Sequence, residues 1–264
     1  MCIKQVPGVS EVKIDPKTNT LVRSGIPSIV NPYDKHALEL ALTIREKRGG
    51  EVIAISMGPP QAEEALREAL SMGVDKAYLL TDRAFAGADT LATSHTLALG
   101  IKKILLGSRK GDKYLVICGT QAIDGDTAQV GPELAEELKI PQITYVLNFQ
   151  LERDKLIAER AFRPEEVVVI ETKLPALISV LKEINSPRNP SLKGIVDAYG
   201  KKQIIVWNAE DLKAKKSEIG LDGSMTEVWR IFIPERKGEH VKLRGTFEEI
   251  SKKLVAHLKE DKVI

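Results

Sequence analysis

The 264-residue chain is long enough to bury the core of one large α/β domain with an appended extension. Its 39 basic and 37 acidic residues nearly balance and are dispersed, which argues against a protein that works mainly on the phosphate backbone of nucleic acid. The two cysteines form no CxxC pair, and no apolar run resembles a membrane span or a signal-peptide core, so we expect a cytoplasmic protein that is not membrane-inserted.

The first half of the sequence alternates short apolar strands with helical segments. Alternating residues 12–23, VKIDPKTNTLVR, predict a hairpin after the first strand. Apolar runs predict strands over residues 51–57, 77–81 and 114–119. Because strands separated by helices at this spacing form βαβ units, we predict a parallel sheet that is covered on both faces.

Helix signals are clearest in NPYDKHALELALTIREKRGG, and PPQAEEALREALSMG repeats the same plan. Asn31 is suited to cap the first of these helices, Pro32 to its first position and Asp34 to its electropositive first turn. The helical spacing predicts a buried apolar face, made of Ala37, Leu38, Leu40, Ala41 and Ile44, and an outward charged face, made of Lys35, Glu39, Arg45 and Glu46.

The pattern changes after residue 140. QITYVLNFQLE and LIAERAF are long extended segments joined by the charged turn RDK, which predicts an antiparallel ribbon added to the parallel sheet. From residue 187 onward apolar residues are sparse, and the last regular element is an amphipathic helix, TFEEISKKLVAHLKE. We therefore divide the chain into an α/β domain over residues 1–186 and an extended C-terminal arm over residues 187–264.

The segment CGTQAIDGDTAQVGPELAEEL leaves a strand and enters a helix. Ligands of open parallel sheets bind beyond the carboxyl ends of the strands, where a helix start offers free N–H groups. Gly119, Gly125 and Gly131 would allow close backbone approach, which favours a phosphate. Asp124 and Asp126 would repel that phosphate, so we expect their carboxylates to turn away and cap N–H groups of the turn and the helix.

Two other interpretations of this segment stay open. It is equally consistent with an ordinary capped loop that binds nothing, and the two aspartates could belong to a metal site, although no further ligands are evident. Neither GxGxxG nor GxxxxGK[ST] is present, so the common dinucleotide and P-loop motifs are not available.

Five blocks in the same order resemble the beta subunit of electron-transfer flavoproteins over essentially the whole chain. They are KQVPG, NPYD, SMGPPQAEEALREALSMGVDKA, QAIDGDTAQVGPELAE and LPALISVLKEINSPRNPSLKG. The resemblance implies a Rossmann-like parallel sheet of the adenine-nucleotide-binding type, an obligatory alpha-subunit partner and flavin-based electron transfer. Family members usually have a few more residues before CIKQV.

The family contains two kinds of beta subunit. One holds AMP while the alpha subunit binds the single FAD, and the other holds a second FAD and bifurcates electrons from NADH. The AMP-type loop usually reads AIDDDxxQTGQ, whereas AIDGDTAQVGP and FAGADTLATSHTLA resemble the FAD-containing, electron-bifurcating group. A glycine at position 125 also favours FAD on physical grounds. It leaves the mouth of the loop without a side chain and without a potential negative charge that would repel a pyrophosphate.

The resemblance also implies the residues of the site. The adenosine end of the cofactor is expected at Cys2, Asn31, Pro32, Tyr33, Asp34, Met57 and Gly58. The phosphates are expected at Ala122, Ile123, Asp124, Gly125, Asp126, Thr127, Ala128, Gln129, Val130, Gly131 and Pro132, with Gln121 beside them. Thr90 and Thr93 could hydrogen-bond the isoalloxazine edge or ribityl hydroxyls, or cap their own helix, while Gly87 and Ala88 would leave room for a nicotinamide.

SPRNPSLKG resembles the recognition loop with which these proteins anchor on a redox partner, and Leu192 matches its central leucine. The alternative is that Leu192 is an ordinary surface leucine that binds no partner. Residues 187–264 would then comprise this loop and an arm that packs on the alpha subunit.

The function implied is a beta subunit whose FAD accepts a hydride from NADH. One electron would go to the alpha-subunit FAD and a dehydrogenase or quinone-reducing flavoprotein, the other to a low-potential acceptor such as ferredoxin or flavodoxin. We expect no acid–base pair or nucleophile, since the flavin carries the chemistry. The alternatives are a non-bifurcating subunit that holds structural AMP and supports the alpha-subunit FAD, and a free-standing nucleotide-binding module of the stress-protein type.

Overall fold

The structure, a computed structural model, describes residues 1–8, 13–15, 20–22, 27–107, 113–229 and 241–263. Met1–Trp229 form one compact unit and Arg230–Ile264 form a second. The helices are α1 (Pro32–Arg48), α2 (Glu63–Met72), α3 (Thr90–Leu106), α4 (Val130–Leu138), α5 (Leu192–Gly200) and α6 (Phe247–Glu260). The strands are β1 (Gln5–Pro7), β2 (Lys13–Asp15), β3 (Thr20–Val22), β4 (Ser28–Val30), β5 (Ile53–Met57), β6 (Lys76–Leu80), β7 (Leu115–Gly119), β8 (Gln142–Glu152), β9 (Lys155–Arg163), β10 (Glu166–Lys173), β11 (Ala176–Val180) and β12 (Ile204–Trp207).

The first residues of the chain join two sheets, whose strand orders are β12-β6-β5 and β10-β9-β8-β11-β7. Ile3 N–H donates to the carbonyl of Ile55, and Cys2 N–H donates to that of Ile117, both at 3.0 Å. Residues 1–3 therefore lie between β5 and β7.

The predicted α/β class is confirmed. β12, β6 and β5 are parallel, β7, β11 and β8 are parallel, and β8, β9 and β10 form the antiparallel ribbon. The sequence patterns did not predict β4, β10, β11 or β12.

Helices bury their apolar faces in two separate cores, as the predicted doubly covered sheet requires. One core contains Leu38 of α1 and Leu66 of α2, and the other contains Ile101 of α3 and Leu134 of α4. Burial of each such side chain contributes about 1.5–3 kcal/mol, so the two cores account for most of the favourable free energy of this architecture.

The predicted faces of α1 are right for its main apolar residues and wrong for Glu39. The Glu39 carboxylate is buried because Arg188, 149 residues away, donates to Glu39 Oε2 at 2.8 Å and to Oε1 at 2.9 Å. Hydrogen bonding from this guanidinium lowers the pKa of Glu39. A partner so distant in sequence leaves no trace in helical periodicity, which is why the prediction failed.

The predicted hairpin and terminal helix are both present. β2 pairs antiparallel with β3, with Ile14 opposite Leu21, while the turn between them lies outside the described residues. At the start of α6, Thr246 Oγ1 accepts from the N–H of Glu249, and the Glu249 carboxylate accepts from the N–H of Thr246. This capping box explains where the helix begins.

The predicted boundary after residue 186 does not coincide with the division of the fold. α5 packs against α2, where the Tyr199 hydroxyl donates to the Glu64 carboxylate at 2.7 Å, and β12 pairs with β6. Residues up to Trp229 therefore belong to the first unit, and the partner role of residues 187–264 stays a prediction. No helix within the described part of the chain is long and apolar enough to cross a membrane.

Candidate nucleotide-binding site

The winding of the sheet changes direction at residues 1–3. The chain builds β5 and β6 on one side of this segment and then returns to build β7 on the other. The carboxyl ends of β5 and β7 flank a crevice at such a point, which is where open α/β sheets bind ligands. Met57 and Gly58 lie at the end of β5, and Gly119 ends β7.

Gly119 is required by a close approach between β7 and the first turn of α1. A Cβ atom at Gly119 would lie 2.7 Å from the Cβ of Tyr33 and would also overlap the Asp34 carboxylate. The Gly119 N–H donates to Asp34 Oδ1 at 3.2 Å. The glycine predicted to permit close approach therefore does so towards this chain's own helix.

Asp34 lies in the first turn of α1, as predicted, and its carboxylate also joins the start of the chain to β7. Besides Gly119, the N–H of Lys4 donates to Asp34 at 2.8 Å, so the carboxylate ties the start of the chain to the end of β7. Burial raises the pKa of Asp34 to about 7, against the lowering effect of hydrogen bonds from Asn31, Lys4 and Gly119. Its carboxyl group is thus close to its protonation midpoint at neutral pH.

Asn31 holds the loop that follows β7. It occupies the N-cap position of α1, but the predicted side-chain cap is absent. Its Nδ2 donates to the carbonyl of Gln121 at 2.8 Å, and its Oδ1 accepts from the N–H of Ile123 at 3.2 Å. With 1% of its surface exposed, Asn31 fixes the site loop, residues 120–129, to the start of α1.

The two aspartates of the site loop do not cap N–H groups, so that prediction was wrong. Asp124 accepts from Lys4 Nζ at 2.7 Å and 2.9 Å through its two oxygens, and Asp126 accepts from the Gln121 amide. Asp126 and Ala128 have positive φ values of 57° and 54°. These are uncommon for residues with a Cβ, although aspartate tolerates them better than alanine. Side-chain partners, rather than the helix, therefore satisfy both carboxylates.

The start of α4 remains available to a ligand. Gln129 occupies the N-cap position, and no side chain of the described residues caps this helix. The N–H groups of Val130 and Gly131, together with the positive end of the helix dipole, form a ready site for a phosphate, while Pro132 has no N–H to offer. Most of the adjoining site loop is exposed.

The other two glycines of this segment do not approach their own chain closely. A Cβ at Gly125 would have no neighbour within 4 Å among the described residues, and one at Gly131 would make ordinary contacts of 3.7 Å with Leu177 and Ser179. Gly125 therefore leaves open space at the mouth of the loop.

Thr90, the first residue of α3, lies against α4. Its hydroxyl donates to Glu133 Oε1 at 3.1 Å, while Asp89 caps α3 by accepting from the N–H of Ala92 at 3.0 Å. Oε2 of Glu133 is buried without a hydrogen-bond partner among the described residues, and burial raises the pKa of this carboxyl. The alternative that Thr90 and Thr93 cap their own helix is therefore not observed. Their contact with a flavin stays a prediction.

Gly87 is explained by packing within the chain. It has a positive φ of 75°, and a Cβ there would lie 3.3 Å from the Cβ of Leu221. Leu221 N–H also donates to the carbonyl of Ala86 at 3.1 Å. The space beside Gly87, which the sequence analysis offered to a nicotinamide, is therefore taken by Leu221.

Cys2 lies beside β7, which contains Cys118, and both cysteines are buried. Their mutual hydrogen bond and their burial raise the pKa of the Cys118 thiol well above its usual value. Met57 packs against the same core. Cys2 and Cys118 are core residues and Met57 is partly buried against them, and the predicted contact of Cys2 and Met57 with an adenosine stays a prediction.

Leu192 is the first residue of α5 and is 85% exposed, as its predicted anchoring role needs. Ser191 Oγ caps the helix by accepting from the N–H of Gly194 at 3.0 Å. The preceding loop is fastened to α1, because Asn185 Nδ2 donates to the carbonyl of His36 at 2.9 Å and Arg188 bonds Glu39. A rigid base thus presents an exposed leucine, whose partner stays a prediction.

Known proteins resemble this chain over nearly its whole length. The model of the electron transfer flavoprotein domain matches residues 18–212. An electron transfer flavoprotein subunit beta from Thermoanaerobacterium thermosaccharolyticum is 54% identical over 99% of this chain and 98% of that protein. Subunit CarD of the caffeyl-CoA reductase–Etf complex from Acetobacterium woodii is 51% identical, over 100% and 98% of the two chains, and protein FixA from Bradyrhizobium diazoefficiens is 44% identical, over 97% and 88%. The chain therefore belongs to the electron transfer flavoprotein family, as a beta subunit.

Proposed function

We propose that this beta subunit binds FAD in the crevice between β5 and β7 and belongs to the electron-bifurcating group. The observation that carries the proposal is the open start of α4 beside a site loop whose own carboxylates are already bonded within the chain. Those bonds remove the main objection to a phosphate there. The open space at Gly125 supports a larger ligand than a bare helix start would need.

The residues present fit a dinucleotide. The site loop and the first turn of α4 would hold the phosphates, Asn31 would keep the loop in place, and the surroundings of Cys2, Met57 and Gly58 would take the adenosine end. Thr90 and Thr93 would contact the flavin from the start of α3, and Glu133 would orient the Thr90 hydroxyl.

The chemistry supplied by bound FAD would be hydride acceptance from NADH and onward transfer of single electrons. The chain's own contribution would be position and electrostatics. The hydrogen bonds of Asp34 and Asn31 hold three segments of backbone in a fixed arrangement, so little has to move when the cofactor binds.

The partners we propose are the alpha subunit, with its own FAD, a dehydrogenase or quinone-reducing flavoprotein that docks on Leu192, and ferredoxin or flavodoxin as low-potential acceptor. Similarity to a subunit of a caffeyl-CoA reductase–Etf complex supports assembly with an enzyme that acts on a coenzyme A ester. Cytoplasmic location is part of the same proposal.

The decisive test is the cofactor content of the chain co-purified with its alpha subunit, measured by denaturing release and chromatography of FAD and AMP. Two FAD per heterodimer and no AMP are expected. One FAD with one AMP would replace the bifurcating proposal by a beta subunit that holds structural AMP. Lys35→Met, which removes a lysine paired with Glu68 outside the predicted site, serves as the control variant and should retain the wild-type content.

Docking is tested separately with Leu192→Ala. Burial of a leucine in a partner contributes about 1.5–3 kcal/mol, so electron transfer to the partner flavoprotein should require about tenfold more partner while the flavin content stays unchanged. Val196→Ala, which removes another exposed residue of α5, measures the non-specific effect of trimming this surface. Unchanged transfer in Leu192→Ala would remove the docking role.

A further inference from the structure

The candidate site has a charge problem that the residues predicted to hold the cofactor do not solve. Asp34, Asp124 and Asp126 are among them, and no lysine or arginine is. Unbalanced carboxylates would repel a nucleotide phosphate, strongly so where water is partly excluded. Within the described part of the chain, the structure brings the ammonium group of Lys4 to this place, where Nζ lies 2.7 Å from Asp124 Oδ1 and 2.9 Å from Oδ2.

The backbone of Lys4 is anchored to the start of α1. Its N–H donates to Asp34 Oδ2 at 2.8 Å, and its carbonyl accepts from the N–H of Asn31 at 2.9 Å. It directly follows residues 1–3, the segment between β5 and β7. Its side chain is about half exposed, so the ammonium group stays accessible from the solvent side.

We propose that Lys4 is the cation of the phosphate site and that Asp124 holds its ammonium group at the mouth of the site loop. This rests on the proposed function only in taking a nucleotide as the ligand. An ammonium group has three N–H donors. Asp124 engages this group through both oxygens, and a remaining donor can reach a phosphate oxygen. Charge-assisted bonds of this kind are about twice as strong as neutral ones.

The pair also explains why an aspartate stands at a phosphate-binding mouth. Asp124 fixes the direction of a long, flexible side chain, and the order it imposes lowers the entropy that Lys4 loses when a phosphate binds. Without Lys4, the carboxylate of Asp124 would face the phosphate unpaired. Lys4 therefore acts twice, by attracting the ligand and by neutralising its neighbour.

The proposal is tested by calorimetric titration of the nucleotide-depleted heterodimer with ADP and with adenosine. ADP carries phosphates and adenosine does not, so the difference between them isolates the phosphate contact. In Lys4→Met the dissociation constant for ADP should rise about 10- to 30-fold, while that for adenosine should stay within about twofold. Lys4→Arg keeps the charge and should remain within about threefold of wild type for both ligands.

Two further variants separate position from charge. Lys35→Met changes the net charge equally and removes a lysine paired with Glu68, outside the predicted site, so ADP binding should not change. Lys4→Met combined with Asp124→Asn removes the unpaired carboxylate, and ADP affinity should recover in part relative to Lys4→Met alone. Thermal melting of each variant confirms that it folds.

The outcomes distinguish the two proposals. Equal losses for ADP and adenosine in Lys4→Met, or no loss for either, would overturn the role of Lys4 while nucleotide binding by the wild type still stands. Failure of the wild-type heterodimer to bind either ligand would overturn the nucleotide site itself, and the role of Lys4 with it.

Discussion

The starts of α1 and α4 both lie at the carboxyl end of β7, yet the chain uses them in opposite ways. At α1, Asn31 and Asp34 are buried and bonded to three other backbone segments. At α4 no side chain of the described residues caps the helix, and the loop in front is exposed. One helix start is part of the scaffold, and the other remains available for a ligand.

The difference shows how a binding site can be rigid without being filled. A loop with free N–H groups loses entropy when it closes on a phosphate, unless something already holds it. Asn31 provides that hold from the neighbouring helix, by bonding both sides of Ala122. The contrast predicts that changes at α1 alter stability, whereas changes at α4 alter binding.

The largest expected effect is the pH dependence that Asp34 confers. Its pKa is raised to about 7 in the folded state, against about 3.9 for an unfolded aspartate, so the folded chain holds a proton that the unfolded chain releases. The proton bound by Asp34 adds up to about 4 kcal/mol to the free energy of unfolding. This addition is fully present below about pH 4 and is lost as the pH rises towards 7. In Asp34→Asn this slope should be absent from unfolding measured between pH 4 and 8, and an unchanged slope would contradict the assignment.

Gly119→Ala should have the next largest effect. Its Cβ would overlap Tyr33 and Asp34 and push α1 away from β7. The free energy of unfolding should therefore fall by about 3 kcal/mol, measured as a shift in the chemical unfolding midpoint. Gly125→Ala is the matched control, because its Cβ meets nothing within 4 Å, and it should change stability by less than about 0.5 kcal/mol. Similar losses of stability in Gly119→Ala and Gly125→Ala would contradict the distinction between a packed scaffold at α1 and an open loop before α4.

Asn31→Ala should have a smaller effect than either. It removes two partly buried hydrogen bonds to the site loop, at a cost of about 1–2 kcal/mol. Gln129→Ala changes the residue at the other helix start, which makes no cap, and should cost less than about 0.5 kcal/mol. Hydrogen exchange at Ile123 should quicken in Asn31→Ala alone; equal exchange in both variants would mean that Asn31 does not hold the loop.

Local patterns predicted most of the fold. The strands β5, β6 and β7 and the helices α1 and α2 follow from short apolar runs, helical spacing and Pro and Gly at helix ends, all of which act between near neighbours. The same reasoning missed β12, because its exposed valine and isoleucine lie in a segment with few other apolar residues. Strand pairing with β6 decides that element, and pairing is not a local property.

The candidate site was predicted in part. Its place, after β7 and before α4, followed from the order of strand, loop and helix. The partners of its polar residues did not follow: Asn31 and Asp34 read as ordinary helix-start residues, and Lys4 was not singled out at all. Lys4 directly follows residues 1–3, and only the tertiary structure shows that this segment lies between β5 and β7.

The amino-acid sequence by itself determined the class of fold, the family and the segments that meet at the crevice, because these depend on composition, periodicity and motif order. Only the tertiary structure decided which groups are bonded. The Lys4–Asp124 pair spans 120 residues, the Asn31–Gln121 bond 90 and the Arg188–Glu39 pair 149. Side-chain hydrogen bonds act over about 3 Å, so contacts at such separations form only after the packed sheet has brought their residues together.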